Sequence, residues 1–240
     1  MLINFHFIKT IFHNTVFGLK SYGIFYLYYS VIFTATNSGL LYAIDRTDIT
    51  LHFAHYIGYV FVFLMLNTKL MVMIHQTELL QQKPRISALI KWTRHETIFL
   101  LWLISFAILC FLFTYLISFV AYPVVAFFYY NAPVIIENTF AFVLVMVMAY
   151  MPVRCILALP AAATGQRYAF SHSWQDTQYM GIELLILLLL LPIAALILLH
   201  VWSFNHGFQY IINGFILTAL IIIETTLLSH VFQTLRPPKD

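Results

Sequence analysis

The chain has 240 residues, of which 62% are apolar and only 9% charged, and its mean hydropathy is +0.89. A soluble domain carries about 25% charged residues, so 12 Lys and Arg with 9 Asp and Glu cannot clothe a globule in solvated groups, and most of the surface must face lipid. A soluble enzyme, a nucleic-acid-binding domain and a disordered chain are thereby excluded, and no nucleic-acid partner is expected.

At the N-terminus, Phe5, Ile8, Ile11, Phe12 and Val16 recur at helical spacing opposite His6, Lys9, Thr10 and His13, which predicts an amphipathic helix lying at the membrane interface. The same polar residues break the first apolar stretch and no small-residue cleavage site follows it, so no removable signal peptide is predicted. Six windows then offer the ~20 apolar residues that cross a bilayer: 21–43, 50–77, 97–120, 134–159, 180–201 and 208–231. Between the third and fourth, Tyr122-Pro123 and Asn131-Ala132-Pro133 predict an aromatic connection, and residues 203–207 predict a short loop between the fifth and sixth.

Orientation follows from the placement of Lys and Arg. With the N-terminus cytoplasmic, eleven of the twelve fall on or toward the inner side, and only Arg46, in the Asp45-Arg46-Thr47-Asp48 turn, lies outside. Both termini are therefore expected inside. A shift of 82 residues superposes Ile8, Lys9, His13, Thr15, Phe17 and Leu19 on Ile90, Lys91, His95, Thr97, Phe99 and Leu101, and places Arg85 on Arg167 and Trp92 on Trp174. The expected architecture is all-α, a single polytopic membrane domain of six transmembrane helices built as three repeats (about 1–82, 83–164 and 165–240). Each repeat is an amphipathic segment followed by a helical hairpin. The second and third amphipathic segments carry Lys83, Arg85, Lys91, Trp92, Arg94, Arg167 and Trp174, a basic and aromatic rim suited to anionic headgroups or to docking a partner protein.

Charges inside spans cost about 3 kcal/mol each near the helix centre and require an explanation. Lys69, Arg154, Glu183 and Glu224 all map to the cytoplasmic half of the bilayer and sum to zero, which predicts an ion-pair cluster, with a headgroup-receiving cavity and a proton relay as alternatives. Histidines at helix ends permit axial pairs for haem b, His52 or His55 with His200 or His206, and His75 with His95 or His230. Snorkelling or solvated imidazoles explain the same positions, and no cofactor or metal is expected. Met71, Met73, Met146, Met148 and Met151 fit core packing better than a copper(I) ladder. Cys110 and Cys155 lie in apolar stretches and imply no disulfide. No phosphate-cradling glycine loop is present, so any ATP-driven step would need another subunit.

The stretch Val153-Arg154-Cys155, Leu159-Pro160-Ala161-Ala162-Ala163, Gly165 and Trp174-Gln175-Asp176 resembles a segment of YciC-like bacterial inner-membrane proteins and of the membrane domain fused to some glycerophosphodiester phosphodiesterases. His75 through Lys83-Pro84-Arg85 to Trp92 resembles the preceding unit of that arrangement. The resemblance implies a six-helix bundle in the bacterial inner membrane with a role in membrane organisation or lipid handling, and it carries over no catalytic residue; Arg154 is the one charged position that maps onto it. The expected function is a non-enzymatic scaffold or accessory subunit that associates with anionic lipid and a partner. The alternatives are a permease subunit of a lipid or small-molecule transporter, docked on a cytoplasmic ATPase near Gln81 to Arg94, and a redox membrane subunit that binds haem b or a quinone.

Overall fold

The computed structural model describes residues 5–46, 53–81, 91–131, 139, 143, 146–147, 149–150, 152–188 and 209–236. Lys83, Arg85, His52, His200, His206 and the 203–207 loop lie outside them, as do 12 of the 26 residues of the fourth predicted span and the fifth span beyond residue 188. Among the described residues all regular structure is helical: α1 (Phe5–Ser21), α2 (Gly23–Arg46), α3 (Phe53–Leu80), α4 (Arg94–Asn131), α5 (Ala158–Ala163), α6 (Phe170–Asp176) and α7 (Gln209–Leu235), with further helical segments at 152–155 and 181–188. Three stretches, His55–Leu80, Arg94–Ile117 and Gln209–Leu235, are long and apolar enough to cross a membrane. They coincide with the second, third and sixth predicted windows, and α2 covers the first.

Cross-helix contacts fix the direction of each element. Tyr42 meets Tyr210 edge to face at 5.3 Å and Asn37 reaches Thr218, so α2 and α7 run antiparallel. Asn67 pairs with Asn37 while His75 meets Ser229, so α3 runs with α7 and against α2. Lys69 bonds Glu96 at the start of α4, and Leu64 lines a groove with Leu103, Ile104 and Ile108, so α4 runs back along α3. One end of the bundle thus gathers the beginnings of α2 and α4 with the ends of α3 and α7.

Small and polar residues bring the spans together, as expected where lipid is as apolar as the side chains. The Asn37 and Asn67 amides bond each other reciprocally at 3.2 and 3.3 Å, and Asn37 also donates to Thr218 Oγ1 at 3.1 Å. The Asn67 amide donates besides to Phe63 O, one turn back in its own helix. Three helices share this fully satisfied polar knot. Beside it, α2 and α7 approach so closely that a Cβ on Gly214 would collide with Ser38 Oγ and stand 2.9 Å from Thr34 O.

Two expectations are corrected. The step at Tyr122-Pro123 does not begin a connection, because the helix of the third span continues through it to Asn131. At 1.5 Å per residue its 38 residues extend about 57 Å; one proline forfeits one ladder bond, which a long apolar helix tolerates. The buried stripe of α1 is also rotated from the predicted face. Phe7, Ile11 and Thr15 are buried, whereas Phe12 and Phe17 are exposed. Phe7 and Ile11 pack with Leu227, Leu228, Val231 and Phe232 of α7, so the bundle rather than the interface plane sets the orientation of α1. Of the three short segments of the proposed repeat, α1 and α6 are helical over 17 and seven residues, and most of the second, residues 82–90, lies outside the described residues.

Gly39 has no heavy atom within 4 Å of an added Cβ and so serves as the control for Gly214. Gly214→Ala is expected to lower the unfolding midpoint in detergent by an overpacking penalty of about 1–3 kcal/mol. Gly39→Ala should leave it unchanged or slightly higher through helix propensity. Thermal melts of the two variants followed by circular dichroism check this, and equal midpoints would rule out the close α2–α7 approach.

Candidate functional site: a basic cleft at the rim of the bundle

The site is built where α4 begins. Thr93-Arg94-His95-Glu96 has the spacing of a capping box and makes its glutamate half: Thr93 precedes the helix, and its backbone N–H and hydroxyl both donate to Glu96 Oε2, the N–H at 2.7 Å. The other oxygen of Glu96 accepts from Lys69 Nζ at 2.5 Å, and both side chains are about 5% exposed or less. Lys69 Nζ also donates to the carbonyl of Lys91. A single buried ammonium therefore ties α3 to the cap of α4 and to the strand of chain leading into it, and fixes where Arg94 and His95 emerge.

The opposite wall is the turn after α5. Gln76 Nε2 donates to Ala163 O at 3.1 Å and anchors that turn to the end of α3. Gly165 adopts φ +75°, where an L side chain is strained. A Cβ there would also stand 2.8 Å from His95 Cε1. Glycine is required twice over, for the turn and for the ring that presses against it. The chain then passes Arg167 and Tyr168 into α6, whose Phe170 meets Trp102 of α4 edge to face at 4.7 Å.

Between the walls lies a cleft of about 720 Å³ lined by Arg94, His95, Ile98, Trp102, Gly165, Gln166, Arg167, Tyr168, Ala169 and His172. A second hollow of about 350 Å³, lined by Ile98, Leu101, Trp102, Ser105 and Phe170, shares Ile98 and Trp102 with it. A basic mouth thus adjoins an apolar groove along α4.

The carboxylates nearest the cleft are already neutralised. Glu96 belongs to Lys69, and Asp176 accepts from Tyr168 Oη at 2.7 Å and from Arg236 Nε at 2.9 Å. Burial and the Asp176 carboxylate hold the Tyr168 phenol well above its ordinary range, so it remains a donor committed to Asp176. Arg94 and Arg167 have no carboxylate partner among the described residues. His172 Nδ1 accepts from the Ala169 backbone N–H at 3.1 Å, which in the neutral ring leaves the proton on Nε2 as a free donor. His95 Nδ1 is buried with no hydrogen-bond partner among the described residues. The arrangement concentrates uncompensated positive charge and donors against an apolar groove.

The residues singled out from sequence distribute as follows. Lys69, Arg154 and Glu183 are buried, and Glu224 is half-buried, yet the expected pairing of Lys69 with Glu183 or Glu224 is replaced by its bond to Glu96. The physical reason is reach: the Lys69 side chain meets the cap of α4, where Glu96 is already oriented by Thr93. Arg154 places its guanidinium 3.7 Å from the Trp174 ring centre and donates to Trp174 O and to Thr177 Oγ1, the latter at 3.3 Å. Arg154 O in turn accepts from Ser173 Oγ at 2.6 Å, so arginine and tryptophan form a junction between residues 152–155 and α6 rather than part of the cleft. Of the rim residues, Arg94 and Arg167 line the cleft, Lys91 is exposed with its carbonyl in the Lys69 bond, and the exposed Trp92 donates through Nε1 to Thr97 Oγ1 at 2.9 Å. His55 is exposed, His75 Nδ1 lies 2.8 Å from Ser229 Oγ, and His230 Nε2 lies 3.5 Å from Glu78 Oε2. Met73 packs with Leu70 and Ile74. No group of three or more His, Cys, Asp or Glu is placed to hold a metal ion among the described residues.

Sequence reasoning passed over Glu96, Glu78 and the Asn37–Asn67 pair. Glu96 carries a legible signal, the Thr-x-x-Glu spacing of a capping box; the two asparagines carry one as well, an amide in mid-span that must find a partner inside the membrane. Glu78 accepts from Tyr26 Oη, and its backbone carbonyl accepts from Gln233 Nε2 at 2.9 Å. An added Cβ on Gly18 would meet its Oε2 at 2.8 Å, so α1 closes over this carboxylate.

No protein-family model, no curated protein and no solved structure matches the chain.

Removing one partner of a buried ion pair costs about 3–5 kcal/mol because the other charge is stranded. Lys69→Met is therefore expected to lower stability by an amount of that order, and Lys69→Met with Glu96→Gln to recover most of it, since glutamine can still close the capping box. Unfolding midpoints of the wild type, both single variants and the double variant form the cycle, and additive losses would show that the two groups do not act as a pair.

Proposed function

We propose that this chain is a multi-pass protein of the bacterial inner membrane, with six spans and both termini inside. It acts without chemistry of its own, as a lipid-associated scaffold or accessory subunit that holds an anionic amphiphile in the Arg94–Arg167 cleft. The observation that carries this reading is the union of two unneutralised arginines with an apolar groove, the two ends of an amphiphile's requirements met in one place. The inward orientation is supported by the company the cleft keeps. Lys69, Lys91, Arg94, Arg154, Arg167 and Arg236 are all linked to the end of the bundle where α4 begins and α7 finishes, as the excess of basic residues on cytoplasmic faces requires. The resemblance of residues 153–176 to YciC-like proteins points the same way. A partner protein would find the exposed Lys91 and Trp92 on the same rim.

Native mass spectrometry of protein extracted in mild detergent from its own membrane tests the reading. The expected spectrum shows one anionic phospholipid retained per chain, and Arg94→Gln with Arg167→Gln should lose it without a change in unfolding midpoint, because both side chains are exposed. Equal retention by wild type and double variant would remove the cleft from the explanation. Zwitterionic lipid held as firmly as anionic lipid would remove the charge argument with it.

A further inference from the structure

The reading above requires only a negative headgroup, and the donors in the cleft are more demanding than that. Resting on that reading, we propose that the cleft selects a lipid ending in a phosphate monoester, of the phosphatidic acid class, over phosphodiester lipids. A phosphodiester carries one negative charge on two free oxygens. A monoester near neutral pH carries about −1.5 to −2 on three.

The cleft matches the second count. Arg94 on one wall and Arg167 on the other place two guanidinium groups on the same cleft, and a guanidinium fork takes two oxygens of a phosphate. Their formal charge of +2 meets no carboxylate among the described residues, because Lys69 holds Glu96 and Arg236 with Tyr168 holds Asp176. His172 is fixed by the Ala169 N–H with its Nε2 proton free, which adds a donor beyond the arginines. A monoanion would leave about one positive charge and several donors unsatisfied at the edge of the bilayer, whereas a dianion uses them. The adjoining apolar groove, lined by Ile98, Leu101, Trp102 and Phe170, then distinguishes a lipid from free phosphate, since only the lipid has chains to lay along it.

Because lysine keeps the charge and loses the fork, substitution separates selection from attraction. The experiment uses full-length, delipidated protein in detergent, titrated in native mass spectrometry with phosphatidic acid, phosphatidylglycerol and phosphatidylcholine of identical chains, with inorganic phosphate and glycerol 3-phosphate as competitors. The expected result is phosphatidic acid bound about tenfold more tightly than phosphatidylglycerol, with phosphatidylglycerol above phosphatidylcholine. Arg94→Lys with Arg167→Lys should bring phosphatidic acid down to the level of phosphatidylglycerol while leaving the latter in place. Equal binding of the two anionic lipids, both above phosphatidylcholine, overturns the monoester preference and leaves the anionic-amphiphile reading standing. Equal binding of all three overturns both. Displacement of phosphatidic acid by inorganic phosphate at equal concentration overturns the lipid as the source of the phosphate.

Discussion

A buried charge in a bilayer persists only with a partner, and the contact between Lys69 and Glu96 is where this chain meets that demand most completely. Both groups lie almost wholly out of contact with solvent, yet every strong contact around them has a second purpose. Glu96 caps α4 through Thr93 while it neutralises Lys69, and Lys69 binds the Lys91 carbonyl while it neutralises Glu96. The first turn of α4 is consequently held in place from two directions. The positions of Arg94, His95 and Trp102, and hence one whole wall of the basic cleft, derive from that hold. The desolvation of such a pair is only partly offset by its attraction, so its structural return is registry: the helix begins at one residue and faces one way.

The other wall depends on backbone geometry. Gly165 supplies a left-handed turn and an empty Cβ position against His95, and Ala163 O fastens the same turn to α3 through Gln76. Behind it, Ser173 bonds both Arg154 O and Leu157 N, closing the distorted helical stretch around Ile156 on α6. Polar contacts of this kind are dense at the rim and sparse in the outer course of α4, where Leu101, Ile108, Phe111, Leu112, Tyr115 and Phe119 are exposed. The division of labour is the one a membrane imposes, with precise polar packing near the headgroups and a plain apolar surface toward the chains.

Much of this is legible in the sequence, and the failures have specific causes. Hydropathy marks α3, the first part of α4 and α7, because a span needs only length and apolarity. The continuation of α4 through Pro123 is not legible, since proline after tyrosine reads as a stop wherever solvent is assumed and as a tolerated residue inside a long apolar helix. The face of α1 is misjudged because its apolar residues encircle more than one stripe, and only the presence of α7 decides that Phe7 and Ile11, not Phe12, are covered. Arg94 and Arg167 are recognisable as rim cations from position alone. That they share a cleft, and that Lys69 belongs to Glu96 rather than to Glu183 or Glu224, follows from tertiary reach that no spacing rule encodes.

The length of α4 has a mechanical consequence. An extent of about 57 Å exceeds a hydrocarbon core of about 30 Å by more than inclination alone absorbs, because even 40° of tilt takes up only about 39 Å. With its first turn locked to α3 at the cleft, a helix of this length keeps about 18 Å of its own axis in excess of such a core even at that tilt. In a bilayer, an element of this length would carry hydrophobic mismatch, and the thickness of the membrane, acting through the inclination of α4, would bear on the wall that Arg94, Ile98 and Trp102 present to the cleft.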